Sequence, residues 1–352
     1  MHPVISIIIA TFNSAQTLSS VLESIRNQTF PKNKIEVLIV DGGSTDGTLN
    51  IAKKYNCIAI DNPKIEPVSA KLLGYSHAKG DYIIYLDADE VIENPNSLSL
   101  KYCLFEKDER VKAVIGSGYK NPNNASFLTS YINDFGDPFS FFIYRLSKNP
   151  KYYYSGLKKL FPLLKEDPTV VIFDFSKEGK GLLLELGAAN SMMDLNYLRK
   201  TFPSFTSEIF AHLFQHLISK SKYVGMIKDD PVIHFSTSDL KGYLNKINWR
   251  IKNNIYHLSE MGVSGFKGRE KFQPSLLRLK KYLFVPYAYS LIFPLLDAIQ
   301  LTISRKKFAY LFHLPLTILT ASLIVYYLFL KMLGYSPQLR SYDESRVVAT
   351  TR

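Results

Sequence analysis

The stretch Val4-Ile5-Ser6-Ile7-Ile8-Ile9-Ala10 constrains this chain most. A β-branched run without polar alternation reads as a strand whose two faces are both covered. Thr11-Phe12-Asn13-Ser14 follows as a polar turn able to cap a helix, and Leu18, Val21, Leu22 and Ile25 then recur at helical spacing. A second apolar run, Ile35-Glu36-Val37-Leu38-Ile39-Val40, closes on Asp41-Gly42-Gly43-Ser44-Thr45-Asp46-Gly47-Thr48. Strand, helix and strand in such quick succession predict a right-handed βαβ unit inside a parallel sheet.

The alternation continues with a helix from Leu49 to Tyr55, a short strand from Cys57 to Ile60 and a helix from Val68 to Ala78. It then reaches the strand Tyr82-Ile83-Ile84-Tyr85-Leu86, which runs straight into Asp87-Ala88-Asp89. In open α/β sheets, ligands bind outside the carboxyl ends of the strands. Two carboxylates spaced i and i+2 at that edge suit Mg²⁺ or Mn²⁺ carrying a substrate diphosphate. The pattern predicts a doubly wound, nucleotide-binding half-domain with acidic strand ends.

Three segments resemble the family-2 glycosyltransferases, which have the GT-A fold: Ser6 to Asn13, Ile39 to Thr48 and Ala78 to Asp89. They occur in the family's order and spacing and cover about the first third of the chain. The resemblance implies that Thr11 and Asn13 border the base and ribose, and that Asp41 accepts a hydrogen bond from the nucleobase. It implies further that Asp87 touches the ribose or the metal, and that Asp89 ligates a Mn²⁺ or Mg²⁺ ion bridging the two phosphates. Many relatives carry Ala-Arg-Asn in the third helix, where this chain has Ser69-Ala70-Lys71-Leu72. Lys71 offers the diphosphate a point charge rather than a fork; the alternative is a solvated surface lysine.

Further along, Leu182–Leu186 and the small-residue loop after it resemble the family's acceptor side. The Glu-Asp pair that usually follows, whose Asp is the general base, is missing. In its place stands Phe205 to His216, with Glu208 and His212 four apart and so on one face of a helix. Either is a candidate base, Glu208 being preferred; a solvated polar stripe is the alternative. An ionised acceptor phosphate needs no base, so the missing pair points towards a polyprenyl-phosphate acceptor. Val232-Ile233-His234-Phe235 reads as a short strand whose His234 could complete the metal's coordination, as a histidine commonly does at this late position in the family.

Composition divides the remainder. Lys and Arg number 43 against 31 Asp and Glu. Ten of the basic residues lie between Lys241 and Val285, against two Glu. A basic run beside apolar segments suits an anionic membrane surface, and no nucleic-acid motif accompanies it. Tyr282 to Ile303 is interrupted by Pro286, Pro294 and Asp297. Phe308 to Leu333 is 26 residues long with only His313, Lys331 and Tyr hydroxyls to titrate, longer than the ~20 residues that cross a bilayer core. Arg305-Lys306-Lys307 lies between them, which favours a re-entrant or interfacial first segment and a spanning second one. The aromatic-rich stretch from Phe127 to Tyr154 is expected to form a membrane-facing acceptor groove, with simple packing as the alternative. Met1-His2-Pro3 enters the first strand without a signal peptide, so the catalytic domain is expected on the cytoplasmic face of the cell membrane. Cys57 and Cys103 are expected to be reduced, buried thiols.

The expected organisation is a GT-A domain over 1–238, with a donor half (1–120) and an acceptor half (121–238). A basic amphipathic region (239–281), hydrophobic attachment segments (282–335) and a polar tail (336–352) follow. The expected activity is metal-dependent, inverting transfer of a sugar from a nucleotide-diphosphate sugar to a lipid-linked or cell-envelope glycan acceptor. A polyprenyl-phosphate glycosyltransferase and a non-catalytic membrane scaffold are the alternatives. A nucleotidyltransferase fits less well, because Ala10-Thr11-Phe12-Asn13 lacks the glycine-rich loop that cradles a triphosphate.

Overall fold

The computed structural model describes residues 2–64, 67–176, 190–204, 210, 212–236, 239–257, 272–338 and 340. The expected alternation is present as β1 (Ile5–Thr11), α1 (Ala15–Arg26), β2 (Ile35–Asp41), α2 (Thr48–Lys54), β3 (Ile58–Asp61), α3 (Pro67–His77) and β4 (Tyr82–Asp87). There follow β5 (Glu90–Ile92), α4 (Ser97–Lys107), β6 (Ala113–Ile115), β7 (Tyr119–Lys120), α5 (Phe127–Phe135) and α6 (Pro138–Tyr144). Next come α7 (Pro150–Leu160), β8 (Leu163–Glu166), β9 (Val170–Asp174), β10 (Met192–Asp194), α8 (Leu195–Thr201), α9 (Leu213–Ser221), β11 (Tyr223–Ile227) and β12 (Val232–His234). The described elements after these are helices: α10 (Leu240–Tyr256), α11 (Ser275–Lys280), α12 (Phe284–Tyr289), α13 (Ile292–Arg305) and α14 (His313–Met332).

The chain divides into two compact units, 1–120 with 149–235 and 121–148 with 236–352. In the first unit, the described strands form a nine-stranded sheet in the order β3-β2-β1-β4-β10-β6-β11-β9-β8. β3, β2, β1 and β4 are mutually parallel, whereas β10 runs antiparallel to both of its neighbours. The sheet is therefore mixed. Ile5, Ile7, Ile8 and Ile9 of β1 have no solvent exposure, so both faces of that strand are covered, as its composition requires. The chain lays down β2 and β3 on one side of β1 and then crosses to place β4 on the other. That reversal makes the β1/β4 boundary the switch point where a crevice opens.

Two glycines explain how tightly this half is built. A Cβ on Gly74 of α3 would lie 2.4 Å from Ile8 Cγ2, so the helix rests directly on β1. A Cβ on Gly80 would lie 2.8 Å from both the Ser6 backbone nitrogen and Ser6 Oγ. Gly80 N–H donates to that same Ser6 Oγ at 2.8 Å, and the Ser6 hydroxyl donates to Glu36 at 2.5 Å. β1, β2 and the entry to β4 are locked together at the end of the sheet away from the crevice.

The second unit joins α5 and α6 to the C-terminal helices. Residues 121–148, expected in the acceptor half, cluster with 236–352 instead. Leu128, Tyr131, Phe135 and Phe141 share one buried cluster with Tyr243, Ile247, Leu301, Tyr310 and Leu316, and Phe127 packs against it. These rings therefore pack a helical core and do not line an acceptor groove. Burial drives this, because each ring withdraws a large apolar area from water. Cys103, expected to be buried, is exposed on α4, and Cys57 is half-buried. Phe308–Met332 is long and apolar enough to cross a membrane, and Ser275–Tyr289 with Ile292–Arg305 forms a pair bent by 89°.

Candidate active site

Strand register brings the predicted donor-side residues to one edge. Thr11 is paired with Asp41, and Ala10 with Asp87, so three carboxyl-terminal strand ends stop at the same level. Asp41 is buried and its carboxylate is held by four donors. Thr11 Oγ1 donates at 2.8 Å and Ser44 Oγ at 2.6 Å to one oxygen, and the Gly43 and Ser44 amides donate at 3.0 and 2.7 Å to the other. Asn13 has φ 48°, and its side-chain oxygen accepts from Thr45 N–H at 2.9 Å. Its own N–H donates to Ser44 Oγ at 2.8 Å. The loops after β1 and β2 are thereby knitted into one rim, in which Thr11, Asn13 and Asp41 have fixed positions.

Asp87 closes β4 and is exposed. Its carboxylate faces Lys71 Nζ of α3 at 3.1 Å, and the carboxylate charge raises the lysine pKa. Lys71 is therefore neither a freely solvated lysine nor a lone point charge, but half of a pair at the crevice. The turn beyond is held by its backbone. Thr17 Oγ1 donates to Ala88 O at 2.7 Å, and Phe235 N–H donates to Asp89 O at 2.9 Å.

That last bond brings β12 to the acidic turn. β12 lies between β5 and β7 in a separate three-stranded sheet, with His234 opposite Glu90. His234 Nε2 stands 3.5 Å from Asp89 Oδ2. Among the described residues no three His, Cys, Asp or Glu side chains converge as a ready-made cage. One carboxylate oxygen and one imidazole nitrogen on a partly open edge are nonetheless a donor set that suits Mn²⁺ or Mg²⁺, with room for substrate oxygens. Asp87, turned towards Lys71, is not part of that pair in this structure.

Glu90 is the site residue that sequence reasoning missed. It is buried, and its oxygens accept the Asp87 N–H at 3.1 Å and the Tyr119 hydroxyl at 2.7 Å. Burial pushes its carboxyl up to about 7, and the neighbouring Asp87 charge adds to this. The Tyr119 ring in turn stacks on His234, centroids 4.8 Å apart. Glu90 thus ties the backbone of the acidic turn to the aromatic support of the histidine. The available signal was a carboxylate at the start of an apolar triplet, Glu90-Val91-Ile92.

The acceptor-side expectations fare differently. Glu208 lies outside the described residues, as does Leu182–Leu186. His212 is 1% exposed and caps α9 with φ −122°, so the helix begins at Leu213 and not upstream of it. The expected common face of Glu208 and His212 therefore falls outside the described residues.

Residues 6–162 match the model of the family described as Glycosyl transferase family 2. Glycosyltransferase AglE of Haloferax volcanii is 34% identical over 93 residues, 25% of this chain and 31% of that protein. Cholesterol galactosyltransferase of Borreliella burgdorferi is 42% identical over 95 residues, 26% of each. The similarity thus spans about a quarter to a third of these relatives' length. A solved structure of mannosyltransferase PcManGT from Pyrobaculum calidifontis, in complex with GDP-Man and Mn²⁺, superposes with a TM-score of 0.54 at 14% identity. That likeness covers 94% of this chain and 88% of the other, and it is a likeness of fold. Residues 6–162 are thus similar to glycosyltransferase family 2 domains, and the sheet that carries them is of the GT-A type.

Proposed function

We propose that this protein is a metal-dependent, inverting glycosyltransferase. It moves a sugar from a nucleotide-diphosphate sugar to a lipid-linked or cell-envelope glycan at a membrane. The observation that carries the reading is the shared edge: Thr11, Asp41 and Asp87 end their strands in register, with Asp89 and His234 3.5 Å apart beside them. The nucleoside lies along the rim of Thr11, Asn13 and Asp41. The diphosphate lies over the β1/β4 boundary, where Lys71 adds positive charge. Asp89 and His234 would hold a divalent cation, which when bound would supply charge neutralisation to the diphosphate. Asp87 meets the ribose and orients Lys71. With the donor fixed, most of the rate comes from holding the acceptor oxygen in line with the anomeric carbon and from stabilising the leaving group.

For the acceptor, the burial of His212 favours a second reading. An imidazole with 1% exposure offers no open face to a sugar hydroxyl, whereas a polyprenyl phosphate arrives already ionised and needs no base. The test is donor turnover with Mn²⁺ in detergent across a panel of nucleotide sugars, with and without phosphorylated or hydroxyl-bearing lipid acceptors. Asp89→Ala should abolish turnover with the fold intact by circular dichroism. Full activity in that variant, or in EDTA, would overturn the metal-dependent reading.

A further inference from the structure

Among the described residues of the second unit, one helical segment is long and apolar enough to cross a bilayer, Phe308–Met332, which includes α14, and its surroundings within the unit determine whether it does so. Along its length α14 packs on α10, besides its contacts with α12, α13 and α6. Tyr243 and Ile247 share a buried cluster with Leu316, and Ile251 and Leu323 pack beside it. The Tyr327 hydroxyl donates to Asn248 Oδ1 at 2.8 Å, and Lys331 Nζ donates to Ile255 O at 2.6 Å. The contact points advance together on both helices, so α10 runs parallel to α14 from about Leu316 to Lys331. Its 17 residues reach about 25 Å.

α10 is not a helix for hydrocarbon. It carries Lys241, Lys246, Arg250 and Lys252 without one acidic residue; Lys241 and Arg250 are exposed, whereas Lys252 is buried within the unit. For α14 to span, α10 would have to enter the bilayer beside it. Each Lys or Arg brought to the bilayer centre disfavours insertion by roughly 100-fold. The unit's exposed apolar surface is shared by two helices. On α13, Ile292, Phe293, Leu296, Ile299 and Ile303 form an exposed stripe. On α14 Leu319 is exposed, as are Val325, Leu328, Phe329 and Met332 opposite the face that α10 covers.

The bent pair before α14 also returns to where it began. At one end Lys280 Nζ donates to Ile143 O at 2.9 Å, and at the other Arg305 Nε meets Asp134 Oδ2 at 3.2 Å. Ser147 Oγ donates to Asp134 at 3.0 Å, which keeps these two anchor points on α5 and α6 near each other. Lys280-Lys281 and Arg305-Lys306-Lys307 therefore come back to one helical pair, as a segment that enters and leaves by the same side requires.

We infer that the helical unit is a monotopic anchor: it embeds its apolar surface in a single anionic leaflet, and neither hydrophobic segment crosses. Lipid is the occupant because basic residues flank the apolar surface and match anionic headgroups. This deepens the membrane part of the proposed function and replaces the expected span over Phe308–Leu333. It has a consequence for topology, since the residues after α14 stay on the side of the bilayer that carries the first unit.

The test uses the full chain in two forms, each with one cysteine. One is Cys57→Ser, which keeps the exposed Cys103 in the first unit; the other is Cys57→Ser/Cys103→Ser/Ser336→Cys, which reports the exposed end beyond α14. Each is added from detergent to sealed vesicles of phosphatidylcholine with one third phosphatidylglycerol, floated, and labelled with an impermeant maleimide before and after lysis. Equal fractions labelled before lysis at 103 and 336 are expected. Protection of 336 where 103 is open would overturn the inference and restore a span. Failure to float, with or without self-association of the chain, would remove lipid as the occupant and overturn the membrane reading too. Neither result touches donor turnover, on which the transferase reading stands separately.

Discussion

Lys101 of α4 and Asp230 form an ion pair in which neither side chain is exposed. Lys101 also donates to Ser97 Oγ at 2.6 Å. Asp230 stands just ahead of β12, and its backbone exchanges hydrogen bonds with Ser117 at 3.0 and 2.9 Å. The pair therefore fixes the approach of the strand that carries His234. Asp230→Ala leaves an ammonium stranded where burial already pulls its pKa down. Removing one partner of a buried pair costs about 3–5 kcal/mol, a large share of the roughly 5–15 kcal/mol that holds a domain together. With a urea m-value of about 2–3 kcal/mol/M, the midpoint followed by far-UV circular dichroism should fall by about 1–2.5 M. Lys101→Met/Asp230→Leu removes both charges and fills the space, so it should recover most of the loss, as buried pairs replaced by apolar residues commonly do. A shift below about 0.3 M in the single variant, or a double variant as weak as the single one, would refute the buried-charge account.

Gly80→Ala should lower stability by about 1–3 kcal/mol in a thermal melt, because the new methyl meets the Ser6 backbone and has nowhere to go. The Glu166 carboxyl is held at about 2 by hydrogen bonds from Lys158, Tyr154 and Lys228. Its folded value lies below the ordinary 4.5, so its contribution is complete above that pH and is lost as the pH falls towards 2. Urea midpoints at pH 5 and pH 3 should therefore lie closer together in Glu166→Gln than in the parent chain. If a sugar hydroxyl is the acceptor and Glu208 its base, Glu208→Gln should cut turnover about 10²–10⁴-fold with donor affinity intact, and His212→Gln should have little effect. No effect from either substitution would favour an ionised phosphate acceptor.

Local periodicity made the first half of the sheet legible. β1 to β4 fall within a residue or so of where their apolar runs predict them, and the edge bearing Thr11, Asp41 and Asp87 follows from parallel pairing alone. The short strand that ends at His234 was legible from Val232 and Ile233 ahead of it. Glu90 was not, since its role depends on Tyr119, which is brought over it only by the second sheet. Lys101 and Asp230 are 129 positions apart, and nothing local marks either as buried. The same limit applies to α5 and α6. A helical pattern identifies which face must be covered, as with Tyr131 and Phe135, but not which distant segment covers it. Cys103 illustrates the opposite error, because its place within a helix carries no information about the direction it faces.

The interleaving of the two units sets a timetable during synthesis. α5 and α6 leave the ribosome early, while the α14 residues that cover Tyr131 and Phe135 are still uncoded, roughly 180 positions downstream. At 5–20 residues per second, that gap lasts about 10–35 s. For that interval a newly made chain presents a naked aromatic face on α5 and α6. Chaperone dependence should therefore centre on residues 127–144, and a nascent chain stalled before α14 should be the aggregation-prone species. The completed protein should not.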